Sequence, residues 1–414
     1  MPGTFFAMPL TQGFAKFLSD AKQRLQASRW MPVAFAVFAV ALLAATVALV
    51  VMPRISGSST PPSGEASPNP SAPTAAPAPP PCGTAVVNTL STRDKLAQLL
   101  MVGVKDAADA RAVVADQHVG GIMIGSWTDL SMLQDGSLRE IAATSGPLPL
   151  TVSVDEEGGR VQRLSSIIGS QPSPRTLAAT VSPDEVYSIA LDRGRAMKDL
   201  GITVDFAPVV DVTDAPDDTV IGDRSFGSNP ETVTTFAGEY ARGLREAGLL
   251  PVLKHFPGHG HGSGDSHTGG VSTPSIDQLL KDDLIPYQTL TTQAPVAVML
   301  GHLQVPGLTG DTPASLSKDA YDLLRSGGYG GPPFTGLVYT DDLSSMAAIN
   351  ERYGVAEAVL KSLQAGADVA LWITTDEVPT VLTSLEQAVN SGQLSMDRVN
   401  ESATRVAASK NCGG

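Results

Sequence analysis

Eight short apolar runs, separated by segments with helical spacing, constrain this 414-residue chain more than any other feature. They are residues 100–104, 121–124, 150–154, 202–207, 251–256, 296–301, 336–340 and 368–372. Each is mostly apolar, without the regular alternation of a half-exposed strand, as expected of parallel strands covered on both faces. The intervening segments carry helix signals. Ser182-Pro183-Asp184-Glu185 opens a helix predicted to run past Met197, and another over 355–365 is stopped by Gly366. Strand alternating with helix eight times predicts an α/β fold of one domain, a (β/α)8 TIM barrel.

That fold places chemistry on the loops after the C-terminal ends of the strands. Polar residues collect there: Asp155 after the third run, Asp211 beyond the fourth, Lys254 and His255 closing the fifth, His302 after the sixth, Asp341 and Asp342 after the seventh. The densest stretch is residues 254–270, KHFPGHGHGSGDSHTGG, which holds four of the six histidines. A metal reading would use His255, His259, His261, Asp265 and His267 as ligands. A barrel metallohydrolase, however, usually carries His-x-His on its first strand, and Met101-Val102-Gly103-Val104 stands there, so no metal and no other cofactor is expected. The preferred reading is acid/base work on a sugar. Asp265 and His267 are two residues apart, close enough for the carboxylate to fix the imidazole's tautomer and raise its pKa. Such a histidine protonates a leaving oxygen and then deprotonates water. Asp341, on the rigid barrel, is the matching nucleophile of a retaining glycosidase.

Other polar residues in these segments have plainer readings. Asp342 reads as a structural helix cap, Asp205 and Asp211 as loop orienters, and His259 and His261 as loop hydrogen-bonders. His302 is either a pocket wall or a core histidine, and Trp372 is core with a sugar-stacking alternative.

KHFPGHG followed by DSH, together with SVDEEGGRVQR (153–163), IGDRSFGSNP (221–230) and TDDLSSM (340–346), resembles the β-N-acetylhexosaminidases of glycoside hydrolase family 3. The resemblance runs in order from about Thr89 to Ala408. It implies Asp341 as nucleophile and His267 as acid/base with Asp265 as its partner. It implies that Asp155, Arg163, Arg224, Lys254 and His255 bind the hydroxyls of a terminal N-acetylglucosamine, as charged and bidentate groups suit a polyhydroxylated ring. Two departures stand out: TDDLSSM is one Ser longer than the usual TDDLSM, and His261-Gly262-Ser263-Gly264 replaces the more common acidic residue and Thr. Several relatives carry a second α/β domain; here the site is expected from the barrel alone. The expected activity is a retaining exo-β-N-acetylglucosaminidase trimming cell-wall fragments. The alternatives are a β-glucosidase, a phosphorylase that exploits the imidazole's tolerance of an anionic acceptor, and a non-catalytic wall-binding barrel.

Upstream of the barrel the composition changes twice. Residues 31–52 contain no charge and reach about 30 Å as a helix, the thickness of a hydrocarbon core. Residues 1–30 carry Lys16, Lys22, Arg24 and Arg29 against Asp20, which predicts a cytoplasmic N-terminus and a single-pass signal anchor; a cleaved signal would make the protein secreted. Residues 53–81 hold ten prolines and read as an extended spacer. After residue 81 stand 23 Lys+Arg and 40 Asp+Glu, or −17, which argues against a nucleic-acid partner. Cys82 and Cys412, the chain's two cysteines, mark the ends of the 82–414 domain, and an extracytoplasmic location predicts a disulfide between them. A monomer is expected.

Overall fold

The structure is a computed structural model and describes residues 83–410. The predicted span at 31–52, the spacer, Cys82 and Cys412 lie outside the described residues. No helix among the described residues is long and apolar enough to cross a membrane.

The eight apolar runs are eight parallel strands: β1 (Leu100–Val104), β2 (Gly121–Ile124), β3 (Thr151–Val154), β4 (Val204–Asp205), β5 (Leu250–Phe256), β6 (Ala297–Leu300), β7 (Val338–Thr340) and β8 (Ala370–Trp372). Each pairs with its neighbour in chain order. β1 also pairs with β8, Leu100 opposite Ala370, and a bridge between Tyr339 and Val369 joins β7 to β8, closing the ring. Nearly every strand residue is buried, as the apolar runs require, and Phe206, Tyr339 and Trp372 fill the barrel's core. Trp372 is therefore core. β4 is shorter than its run of 202–207. Pro208 has no N–H to offer a ladder, and pairing resumes only as a single bridge between Val209 and Lys254.

The helices follow their sequence signals. Ser182 and Glu185 form a reciprocal capping box at the start of Pro183–Asp199, and Gly366, at φ 139°, ends Val355–Ala365. Pro183–Asp199 packs on Pro230–Glu246 through glycines: a Cβ on Gly243 would lie 2.6 Å from the Tyr187 carbonyl oxygen.

The lower end of the barrel is held by one carboxylate. Asp368, just before β8 and fully buried, accepts Arg325 Nη2 at 2.5 Å, Arg398 Nη2 and Arg405 Nη1 at 3.1 Å, Ser402 Oγ at 2.9 Å and the Val338 amide at 3.1 Å. It joins Lys318–Ser326, Met396–Ser409 and two strands. Removing it strands three arginines in partly buried positions. Asp368→Ala is expected to lower stability by about 3–5 kcal/mol, read from the urea midpoint. A loss below about 1 kcal/mol would mean the arginines rehydrate freely.

Candidate active site

The DEEGGRVQR segment leaves the end of β3 and turns at once. Glu156–Gly158 pairs antiparallel with Val161–Gln162, and Gly158 and Gly159 take the positive φ angles, 96° and 59°, that this tight reversal needs. The buried Glu156 carboxylate accepts the Arg163 and Leu164 amides at 2.7 and 2.8 Å and pairs with Arg193. Asp205 Oδ1 accepts the Glu156 amide at 3.0 Å, so Asp205 orients this hairpin. Burial beside Glu156 and Asp155 pushes the Asp205 carboxyl well up, and its other oxygen has no hydrogen-bond partner.

The hairpin delivers two carboxylates to one cation. Lys254, near the end of β5 and buried, places Nζ 2.7 Å from Asp155 Oδ1 and 2.6 Å from Glu157 Oε1. Arg224 grips Glu157 with two bonds of 2.8 Å, and Arg163 Nη2 lies 3.9 Å from Asp155. Burial alone would lower the Lys254 pKa and raise that of Glu157. The facing charges outweigh it: Asp155 and Glu157 push the ammonium up, while Arg224 and Lys254 hold the Glu157 carboxyl far below its ordinary range.

A second cluster orders the histidines. Asp211 is fully buried; its Oδ1 accepts the amides of His255 (3.2 Å) and His259 (2.7 Å), and its Oδ2 accepts His255 Nδ1–H at 2.7 Å. Asp211 is thus the residue that sets the imidazole of His255, with Nε2 left for another partner. His259 Nε2 meets Ser266 Oγ at 3.3 Å, and His261 Nδ1 lies 3.0 Å from Asp283, so both hold the loop. His261, Asp282 and Asp283 also bring their ligand atoms within 4.8 Å of one another.

Asp341 follows β7. Its amide donates to Leu300 O at 3.0 Å and its Oδ1 accepts the Asp342 amide at 2.9 Å. Burial would raise its carboxyl, but the neighbouring His255, His302 and Lys254 and that amide bond bring it down to about 2. His302 is buried, donating Nε2–H to Asp342 O and accepting from Ser315 Oγ, each at 2.7 Å, and burial lowers its pKa. It belongs to the wall beneath Asp341. Asp342 bonds the amides of Ser344 and Ser345, at 2.8 and 3.1 Å, and the hydroxyls of both; it caps this turn and not the following helix, Ala347–Asn350. The additional Ser of TDDLSSM supplies one of those hydroxyls.

The Asp265–His267 pair is formed: Asp265 Oδ1 accepts His267 Nδ1–H at 2.7 Å and the His267 amide at 2.9 Å, and these bonds offset burial to lower the Asp265 pKa. Both side chains are exposed to solvent on the loop after β5. The loop is docked over the β7 turn, because Ser266 O and His267 O accept the Ala348 and Ala347 amides at 3.1 and 3.4 Å. It is also tied to the segment after β6, where Val271–Ser272 pairs with Leu303–Gln304.

Glu157 and Trp127 went unflagged in the sequence. Glu157 stands two residues after Asp155, a spacing that returns a side chain to the same side of extended backbone. Trp127, after β2, is 41% exposed, the one large apolar side chain so placed among the described residues. It covers Gly103 and Gly125 beside Ile373, whose amide is held by Ser344 Oγ at 3.2 Å, three residues after Asp341.

Charged groups converging at the C-terminal rim of a (β/α)8 barrel, with one carboxylate held ionised and a carboxylate–imidazole pair on a loop docked to the same turn, are the groups a glycosidase needs. Residues 91–409 match the glycosyl hydrolase family 3 N terminal domain, and the chain belongs to that family. Within it, the chain is 64% identical to Beta-hexosaminidase LpqI of Mycobacterium tuberculosis over 374 residues, 89% of this chain and 96% of that protein. A family 3 glycosyl hydrolase structure from Mycobacterium smegmatis has a TM-score of 0.78 and 75% identity, covering 78% of this chain and 98% of that one. A family 3 β-N-acetylglucosaminidase structure from Paenibacillus sp. has a TM-score of 0.73 and 34% identity, covering 78% of this chain and 63% of that one.

Glu157→Gln leaves Lys254 and Arg224 one carboxylate short and free to shift by more than the site tolerates. The expected result is a fall in kcat/KM of about 10- to 100-fold, carried mainly by KM. Unchanged steady-state kinetics would show that the pair only stabilises the fold.

Proposed function

We propose that the chain is a retaining exo-acting β-N-acetylglucosaminidase that releases terminal N-acetylglucosamine from peptidoglycan fragments. The observation that carries this reading is Asp341, ionised at the rim of the barrel, with the Asp265–His267 loop hydrogen-bonded onto its own turn. In the first displacement a carboxylate oxygen of Asp341 forms a bond to the anomeric carbon. The bond from that carbon to the aglycone oxygen breaks, and His267 gives that oxygen its proton. In the second, His267 takes a proton from water, the hydroxide bonds to the anomeric carbon, and Asp341 leaves as carboxylate. Asp155, Arg163, Arg224, Lys254 and His255 hold the sugar hydroxyls. The 64% identity to a protein named as a β-hexosaminidase supports the hexosamine preference. Trp127 offers its exposed face to the aglycone sugar.

The setting proposed with this activity is a membrane anchor at 31–52, a spacer at 53–81 and a monomeric catalytic domain on the extracytoplasmic side, closed by Cys82–Cys412. The described helices next to the two cysteines, Thr84–Thr89 and Met396–Ser409, pack on each other, which supports that disulfide.

Protonation matters only when the leaving group is poor. His267→Ala is therefore expected to lose about 10²- to 10⁴-fold in kcat/KM on an unactivated N-acetyl-β-glucosaminide and little on a dinitrophenyl one, whose kcat falls through the slowed second step and recovers with azide as the β-glycosyl azide forms. Equal losses on both substrates would remove His267 from the acid role. Because the Asp341 pKa is about 2, its carboxylate is the charged form throughout ordinary pH. The glycosylation rate with the dinitrophenyl substrate is expected to stay flat from about pH 7 to pH 4; a fall centred in that window would contradict an ionised Asp341. Trp127→Ala is expected to raise KM for a disaccharide about 3- to 10-fold and to leave the methyl glycoside unaffected. Equal changes on both would place the indole away from the aglycone.

A further inference from the structure

A cavity of about 630 Å³ opens at the end of the barrel opposite the catalytic loops, its wall built from the strand starts at Leu150, Val204, Leu250, Val296 and Leu337. That volume falls in the range of about 300–1,000 Å³ usual for small-molecule sites. Phe334 and the aliphatic strand ends make much of the wall apolar. Four cationic side chains reach it, Lys198, Arg245, Arg405 and Lys410, and among the described residues no Asp or Glu does.

Arg405 is committed to Asp368 and Glu401. The other three have no carboxylate within ion-pair reach among the described residues. Arg245 Nη1 is buried and has no hydrogen-bond partner. Lys198 Nζ donates to the Gly248 carbonyl at 3.1 Å, three residues along from Arg245. Lys410 Nζ is buried on Gln98 Oε1 at 2.8 Å and Gly120 O at 2.7 Å, and burial without a counter-ion pushes its pKa down to about 7. Arg245 as a whole is half-buried, but a guanidinium nitrogen kept from water with an idle donor carries a cost that an anion would remove. Gathering such cations around apolar walls, in a domain where acidic residues outnumber basic ones by 40 to 23, is charge complementarity to a particular kind of molecule.

We propose that this cavity binds a monomeric anionic amphiphile, with its carboxylate or phosphate head on Arg245 and Lys198 and its hydrocarbon chain along Phe334 and the strand starts. Neither cation belongs to the catalytic end, so binding and hydrolysis separate. The test uses the full chain in phosphatidylcholine nanodiscs and dodecyl phosphate below its micelle concentration, followed by calorimetry with empty nanodiscs as the blank. One saturable site per chain is expected. Dodecyltrimethylammonium, with the same chain and the opposite charge, and inorganic phosphate alone are expected to bind at least about tenfold more weakly. Arg245→Gln and Lys198→Gln are each expected to weaken dodecyl phosphate about tenfold or more, while aryl N-acetyl-β-glucosaminide hydrolysis stays unchanged and reports an intact fold. Equal binding of the two amphiphiles, absence of saturation, or undiminished binding by both variants overturns the proposal. Recruitment to phosphatidylglycerol vesicles through Arg245 without monomer binding overturns it too, in favour of a lipid headgroup in a membrane.

Discussion

A lysine ammonium buried at the end of β5 is the constraint on which the rest of the site depends. Taking Lys254 out of water costs several kcal/mol, and the structure offsets this only by bringing Asp155 and Glu157 to within 2.7 Å of Nζ. Those carboxylates would repel each other without it. Glu157 is in turn neutralised by the fork of Arg224. Three segments far apart in sequence, the hairpin after β3, the turn at Gly222–Arg224 and β5 itself, must meet for any of these charges to be tolerated. A (β/α)8 barrel brings them together because it gathers every strand end at one rim. His255 comes first among the groups that keep Asp341 ionised, and the Asp342 amide and the same Lys254 ammonium add to it.

Much of this was legible in the residues themselves. The eight strands could be read because strands covered on both faces are mostly apolar and do not alternate, and helix starts because capping side chains are chemically specific, as at Ser182. Asp341 and the Asp265–His267 pair could be placed because a carboxylate after a strand and an Asp-x-His spacing carry local meaning. Glu157 was hidden because its role comes from Arg224 and Lys254, 67 and 97 positions away. Asp211, read as a loop orienter, sets the imidazole of His255, again through a contact distant in sequence. Trp127 left no trace, since an exposed indole and a core indole look alike in a sequence. The early end of β4 was foreshadowed by Pro208.

The two ends of the barrel divide the labour. The lower end carries its own buried carboxylate, Asp368, which ties the last helix to the sheet, and beside it lies the cationic cavity. The ion pairs at the rim and those at the lower end are separate systems, so the rim loops can vary without weakening the closure of the ring.

The central claim is that Asp341 is the nucleophile of a double displacement. A 5-fluoro-N-acetylglucosaminyl fluoride slows both displacements, the second more than the first, so incubation followed by proteolysis and mass spectrometry tests it directly. The account predicts one glycosyl adduct per chain, on the peptide and side chain of Asp341, and none in Asp341→Asn. An adduct on another carboxylate, or turnover with no adduct and release of the inverted sugar, would contradict it.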